Sequence, residues 1–139
     1  VVNAGDHFGF PFIHGKNIPD TGYEAPKDFV FSQPVWEFQA HTAPLGIKFY
    51  DGESFPEYYK NGAFVAQHGS WNRAEKVGYR LLFMKMEEGD VVSADVFIDG
   101  WMSNETSWGR PVTPLILKDG SMLISDDQAD SIIRVTYKG

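Results

Sequence analysis

The chain has 139 residues, with 12 lysines and arginines against 19 aspartates and glutamates, and it has no cysteine. A domain of this length can bury a core of its own without disulfides. The net charge of −7 argues against a nucleic-acid partner, because phosphate binding requires a basic face. No apolar run is long enough to cross a membrane as a helix, and the lack of cysteine leaves reducing and oxidising compartments both open.

Residues 1–43 are rich in glycine and proline, which break helices and long strands. Aromatic side chains between them provide groups to bury, so this segment differs from a flexible linker. We interpret it as a loop-rich opening segment with one or two short strands, at residues 29–32 and 35–38. The chain begins with Val1 and shows no signal-peptide pattern, which fits a mature product, a trimmed form or a fragment of a longer protein.

From residue 44 onwards, a fixed order of parts occurs twice. A strand runs into the turn Asp51-Gly52 or Asp119-Gly120, and a second strand, a polar loop and a third strand with an arginine follow. The predicted strands are residues 44–50, 63–67, 79–85 and 92–98 in the first copy and 112–118, 121–125 and 132–137 in the second. Short antiparallel strands in a repeated unit are typical of β-propeller blades, so we predict an all-β fold with blades at residues 44–99 and 100–139.

Two blades do not close a propeller, which needs about four to eight. We therefore predict either a fragment of a longer propeller or several copies that assemble into a ring. Each blade is expected to have four strands, and one helical turn is expected within residues 54–60 of the first blade. The open blade edges of such a piece favour pairing with further strands.

Residues 67–73, Gln-His-Gly-Ser-Trp-Asn-Arg, follow the short apolar strand 63–66 and contain the candidate site. The glycine and the polar residues end the strand and bring an imidazole, an indole and a guanidinium into one loop. Loops at strand ends are where binding and catalytic groups are most often found. The alternative is a structural loop in which His68 caps a turn, Trp71 fills the core and Arg73 pairs with a surface acid.

Five segments of the chain resemble, in unbroken order, the C-terminal part of the glucose/sorbosone dehydrogenase family. They are Gly5-Asp6-His7-Phe8-Gly9-Phe10-Pro11, then Ala43-Pro44-Leu45-Gly46 with Phe49-Tyr50-Asp51-Gly52 and Phe55-Pro56, then the loop from His68 to Arg73, then Trp108-Gly109-Arg110-Pro111-Val112, and then Asp119-Gly120-Ser121 with Ser125-Asp126-Asp127. The loop from His68 to Arg73 resembles the sorbosone dehydrogenase branch in particular. The resemblance implies a six-bladed propeller, with about two blades in this chain, and a quinoprotein that uses pyrroloquinoline quinone with calcium.

Pyrroloquinoline quinone is a flat tricycle with three carboxylates, so its site needs guanidinium groups and planar faces. Trp71, like His68, Arg73 and Arg110, is of the right kind to bind the cofactor, and the resemblance supports His68, Arg73 and Arg110 as cofactor-binding residues. His41, which lies where the family has substrate-facing residues, and Trp108 are the candidates for the substrate pocket. Arg110 matches an arginine that lines the quinone pocket of soluble glucose dehydrogenases, whereas Val112 replaces their second arginine. A surface cation at Arg110 and a hydrogen-bonded loop histidine at His41 are the structural alternatives.

The catalytic base of the family, a histidine, is expected in an earlier blade, so no catalytic residue is assigned among His7, His14, His41 and His68. Asp126-Asp127 is interpreted as an ordinary turn, and no metal ligands are assigned. By resemblance, the parent protein is expected to be a periplasmic or secreted enzyme that oxidises an aldose or a sorbosone-like sugar, with hydride passing to the quinone and electrons to a further acceptor. This 139-residue piece is expected to be inactive by itself. The alternative is a non-catalytic propeller that serves as a binding or scaffold module.

Overall fold

The first part of the chain is rich in glycine and proline, which interrupt regular structure, and its two strands are short. The structure, a computed structural model, describes residues 2–139 and divides into two units, the first ending at Glu37. In this first unit, strand β1 (Ile13–His14) pairs antiparallel with strand β2 (Ile18–Pro19). A cluster of aromatic rings supplies apolar contacts within the unit; its members are His7, Phe12, Phe29 and Phe31.

The strands predicted at residues 29–32 and 35–38 are wrong, because the structure has extended loop there. A strand requires a partner, and among the described residues the backbone donors of this stretch make one bond to a distant segment, from the N–H of Ser32 to the carbonyl of His7. Pro34 has no N–H to donate to a ladder. The aromatic residues of this stretch favoured a strand in the sequence, but they are used for ring packing instead.

The second unit starts with a four-stranded antiparallel sheet whose strands follow the order of the chain. They are β3 (Pro44–Phe49), β4 (Ala63–Gln67), β5 (Arg80–Glu87) and β6 (Asp90–Ile98). Every residue of β4 is buried, as expected for a central strand with both faces covered. A short 3-10 turn, Glu57–Tyr59, lies between β3 and β4, where the sequence predicts a helical turn.

A second sheet follows a small hairpin formed by β7 (Met102–Ser103) and β8 (Thr106–Ser107). Its strands are β9 (Pro111–Ile116), β10 (Met122–Asp126) and β11 (Ser131–Val135), and β10 is central. The prediction of four strands in this blade is wrong, since the sheet has three. Among residues 2–139, the strands at 102–107 of the predicted blade pair with each other as the hairpin of β7 and β8 and so add no strand to this sheet.

Apolar side chains from both sheets form one core in the second unit. Its most deeply buried members, each at most 1% exposed, include Phe64, Leu81, Phe83, Met122 and Ile124. Burial of one large apolar side chain contributes about 1.5–3 kcal/mol, so this core holds the two sheets and the loops at their ends together. The chain is therefore all-β and built from small antiparallel sheets, as the sequence predicts. No helix among the described residues is long and apolar enough to cross a membrane.

Candidate functional site

The loop that follows β4 is held in one conformation by backbone hydrogen bonds. The N–H of His68 donates to the carbonyl of Ala43 at 3.0 Å, and the N–H of Gly69 donates to that of Thr42 at 2.9 Å. Gly69 has a φ of +99°, a left-handed conformation that favours glycine. The loop is therefore a tight, ordered turn that is bound to the segment before β3.

Arg110 binds this turn from the other sheet. It lies immediately before β9, and its Nε donates to the carbonyl of His68 at 3.1 Å. Its Nη2 donates to the carbonyl of Gly69, so the guanidinium bridges two consecutive peptide groups. Tyr79 supports the same turn, because the guanidinium carbon lies 5.4 Å from the centre of its ring and its hydroxyl donates to the carbonyl of Ser70. Arg110 is therefore part of the architecture of the loop rather than a free surface cation.

A buried carboxylate fixes the backbone of Arg110. Asp126 is 4% exposed, and its Oδ2 accepts the N–H of Arg110 at 2.9 Å. Its Oδ1 accepts the N–H groups of Gln128 at 3.0 Å and Ala129 at 2.8 Å. Gly109 is required beside it, because a Cβ at that position would meet the carboxylate of Asp126. The polar atoms of Asp126 are thus used within the turn that carries Arg110.

His68 forms a second link between the two sheets. Its Nε2 lies 2.8 Å from Oδ1 of Asp127, which follows β10, and the side chains are 17% and 61% exposed. The hydrogen bond from His68 is the largest cause that holds the pKa of Asp127 below its ordinary value. Asp127 is therefore a carboxylate at neutral pH, and its Oδ1 accepts a hydrogen bond from the N–H at Nε2 of His68. Nδ1 is the ring nitrogen of His68 that this contact leaves unused.

Trp71 and Arg73 belong to the same loop, but the structure does not bring them against Arg110. The indole of Trp71 is 83% exposed. Arg73 is partly buried, and its Nε donates to the carbonyl of Glu75 at 2.6 Å. Within residues 2–139, no hydrogen bond joins either side chain to Arg110. The arrangement therefore has a firmly held part, at His68 and Arg110, and an exposed part, at Trp71 and Arg73.

His41 and Trp108 lie close in the chain to residues of the firmly held part. His41 is exposed, with a φ of +68°, and it precedes Thr42, whose carbonyl accepts the N–H of Gly69. Trp108 is 54% exposed and lies two positions before Arg110. Its indole N–H donates to the carbonyl of Gly100 at 2.7 Å, and its ring stacks on Trp101 with centres 6.2 Å apart. The ring of Trp108 is therefore fixed, with one face buried by another indole.

The chemical groups left without hydrogen bonds in this region are of types that bind a planar anion. Among the described residues, no hydrogen bond engages Nδ1 of His68, Nη1 of Arg110 or the indole N–H of Trp71. Nη1 of Arg110 and the indole N–H of Trp71 are donors, and the indole also offers an aromatic face, as a flat polycarboxylate ligand needs. Nδ1 of the neutral His68 ring is an acceptor. Within residues 2–139, no group of three or more His, Asp or Glu is arranged to hold a metal ion. The free cationic and aromatic groups of this region are therefore of the kind that bind an anion.

Three residues of the site have structural contacts that the sequence did not predict. Tyr79 is predicted as the first residue of a strand, but it precedes β5 and has a φ of +56°. The glycine before it is the one local signal that this position lies in a turn. Asp126 and Asp127 are predicted to form an ordinary turn, whereas one binds Arg110 and the other binds His68. Two acids directly after a buried strand, in the blade beside a basic loop, are the available signal for such pairing.

The fold and this group of side chains define an all-β chain of propeller-type sheets that gathers cationic and aromatic groups in its strand-end loops. The family model described as TrAA12-like matches residues 11–138, so the chain belongs to the TrAA12-like family. A relative, an uncharacterized protein of Borreliella burgdorferi, is 41% identical over 143 aligned residues. The alignment covers 99% of this chain and 38% of the relative, so the chain spans about two fifths of the length of that protein.

Three solved proteins share the fold. The iodide structure of the Trichoderma reesei Carbohydrate-Active Enzymes Family AA12 protein, which also has a calcium structure, has a TM-score of 0.62 at 24% identity, over 75% of this chain and 27% of its own. A glucose dehydrogenase has a TM-score of 0.68 at 21% identity, over 96% of this chain and 35% of its own. The holo form of the pyranose dehydrogenase PQQ domain from Coprinopsis cinerea has a TM-score of 0.50 at 22% identity, over 70% of this chain and 27% of its own. At these identities the similarity shows the propeller-type fold, and the sorbosone branch stays a prediction.

Proposed function

We propose that the full-length protein is a quinoprotein oxidoreductase that oxidises a sugar, either an aldose or a sorbosone-like substrate, with pyrroloquinoline quinone. The observation that carries this proposal is the contact between Arg110 and the turn at His68 and Gly69, because it joins the two loops in which the resemblance locates the cofactor. Membership of the TrAA12-like family supports it. Similarity of fold to a glucose dehydrogenase and to a pyranose dehydrogenase PQQ domain also supports it.

Four side chains are proposed to hold the cofactor, and they are His68, Trp71, Arg73 and Arg110. The cofactor supplies the two-electron chemistry when bound. Arg73 and Arg110 attract its carboxylates, and the exposed indole of Trp71 offers a face for stacking. Because Arg110 is bound to two backbone carbonyls, its charge is fixed in place. A fixed cation stabilises the negative charge that develops during reduction more than a mobile one does.

His41 and Trp108 are proposed to border the substrate pocket, because they lie beside the fixed turn and keep exposed surface. The catalytic base is assigned to a part of the protein outside these 139 residues. Calcium is proposed for the parent protein, because a calcium structure exists for the Trichoderma reesei relative. Its ligands, like the catalytic base, are assigned to parts of the protein outside these 139 residues. Further blades, in the same chain or in other copies, are proposed to complete a six-bladed propeller in the periplasm or outside the cell.

Reconstitution of the full-length protein tests this function. The protein is incubated with pyrroloquinoline quinone and calcium, and reduction of an artificial dye is followed with a panel of aldoses and sorbosone-like sugars. We expect turnover with at least one sugar, no turnover without the quinone, and no turnover from residues 1–139 alone. A full-length protein that never binds the quinone would overturn the proposal and favour a binding or scaffold propeller.

A further inference from the structure

Asp127 joins two loops that come from different sheets. Its Oδ1 lies 2.8 Å from Nε2 of His68, and these residues are 59 positions apart in the chain. Asp127 is 61% exposed in its side chain, and His68 is its one hydrogen-bonded side-chain partner among residues 2–139. Exposed ion pairs of this kind contribute little to folding stability. The contact therefore has a small structural effect and a direct effect on the orientation of one imidazole.

The neighbouring residue in the chain, Asp126, has the contacts of a structural aspartate. Asp126 is buried and accepts three backbone N–H groups, those of Arg110, Gln128 and Ala129. Asp127 accepts none of these donors, because its carboxylate is turned to His68. The two adjacent acids thus have different partners, and the second one acts on a side chain of the candidate site.

A carboxylate only accepts hydrogen bonds, so Nε2 of His68 must carry the proton that joins the pair. This assigns the tautomer of the neutral ring and leaves Nδ1 as the atom through which the imidazole can reach a ligand. We propose that Asp127 is a positioning residue, which holds the imidazole of His68 in one orientation at the quinone site and leaves Nδ1 as a hydrogen-bond acceptor for the ligand. This inference rests on the proposed function for the identity of the ligand, but the orientation of His68 can be measured without it.

The test uses the full-length protein with Asp127→Asn and Asp127→Ala. The Asn variant keeps the shape but can present an amide NH₂ to Nε2, whereas the Ala variant removes the partner. Asp20→Asn is the matched control, because Asp20 pairs with His14 through the same kind of contact, at 2.6 Å, in the first unit of the chain. Long-range proton–nitrogen NMR spectra of the histidines report the tautomer, and quenching of tryptophan fluorescence reports binding of pyrroloquinoline quinone.

We expect the Nε2–H of His68 to be hydrogen-bonded in the wild type, which shifts its proton and nitrogen resonances, and we expect this shift to be lost in Asp127→Ala. Partners that orient imidazole ligands of metals change affinity by about 10–100-fold, so we expect quinone affinity to fall roughly tenfold, with unchanged binding in Asp20→Asn. Asp127→Ala should have no further effect in a protein that already carries His68→Ala, because Asp127 acts through that ring.

The outcomes separate the two proposals. A wild type that binds the quinone while the Asp127 variants bind it equally well overturns the positioning role and leaves the proposed function intact. An additional loss from Asp127→Ala in the His68→Ala background also overturns it. A wild type that does not bind the quinone overturns the proposed function and this role together.

Discussion

Arg110 and Tyr79 bind consecutive carbonyls of the same turn, and the guanidinium carbon of one lies 5.4 Å from the ring centre of the other. The tyrosine precedes β5 of the first sheet, and the arginine precedes β9 of the second. The turn is therefore built jointly by the two sheets. A change in either side chain should alter the turn before it alters anything that the turn binds.

Removal of one hydroxyl tests this relationship. Tyr79→Phe keeps the ring beneath Arg110 but leaves the carbonyl of Ser70 without its hydroxyl donor. We expect a loss of about 1 kcal/mol in the free energy of unfolding, measured by urea titration of the full-length protein. Tyr58→Phe is the control, because its exposed hydroxyl makes one long bond to Asp95 at 3.3 Å, and it should change the stability little. Equal effects of the two substitutions would contradict the role of Tyr79.

A methyl group at position 69 tests the tightness of the turn. Gly69 has a φ of +99°, and a Cβ there would lie 2.5 Å from ring carbons of Tyr79. Gly89→Ala is the matched control, since Gly89 has a φ of +94° and a Cβ there would meet no atom within 4 Å. We expect a cost of about 1 kcal/mol for Gly89→Ala from the backbone alone and of more than about 2 kcal/mol for Gly69→Ala. Similar unfolding free energies for the two variants would show that the turn has room to relax.

The buried carboxylate of Asp126 offers a stability test at the other loop. Asp126→Asn keeps the volume but places an NH₂ group against backbone N–H donors. We expect it to destabilise the full-length protein by about 2–3 kcal/mol, because buried donors lose their acceptor. Asp119→Asn removes an exposed carboxylate that binds Ser121 and Arg134, and its effect in the same urea titration should be clearly smaller. A larger effect at Asp119 would contradict the assignment.

Acid should weaken the link between His68 and Asp127. The hydrogen bond from His68 is the main cause that lowers the pKa of Asp127, and the positive charge of Arg110 acts in the same direction. Because the folded pKa lies below the unfolded one, about 3.9, the stabilisation is present above that value and is lost as the pH falls through the folded pKa. The difference in unfolding free energy between wild type and Asp127→Asn should therefore shrink as the pH falls below the unfolded pKa and be lost once Asp127 is protonated in the folded protein. A difference that is unchanged there would show that the charge of Asp127 is not its source.

Local patterns predict the strands of the two larger sheets of the second unit well, because β3 and β9 each run into an Asp-Gly turn and β4 is a short apolar run. The hairpin of β7 and β8 is not predicted. The same reasoning fails at residues 29–32, where an aromatic run resembles a strand but has no partner to pair with. It also fails for the fourth strand of the second blade, because residues 102–107 pair with each other as the hairpin of β7 and β8 instead of joining the sheet.

The contacts of the candidate site depend on partners that are distant in the chain. Arg110 and His68 are 42 positions apart, and His68 and Asp127 are 59 positions apart. No local period relates such positions, so sequence reasoning predicts the residue types in each loop but not which atoms meet. The backbone bonds of Arg110 are the clearest example, because a guanidinium expected to face a ligand uses two of its nitrogens to build the loop.

Equilibrium binding of pyrroloquinoline quinone to the full-length protein is the most direct test of the proposed site. Arg73→Ala and Arg110→Ala are compared with the parent and with Arg134→Ala, whose arginine binds Asp119 and Ser121 in the second sheet. We predict that each of the first two substitutions weakens binding by about tenfold or more, the effect of one charge-assisted hydrogen bond, while Arg134→Ala binds as the parent does. Arg73→Ala and Arg110→Ala proteins that stay folded and bind the quinone as tightly as the parent would contradict the assignment.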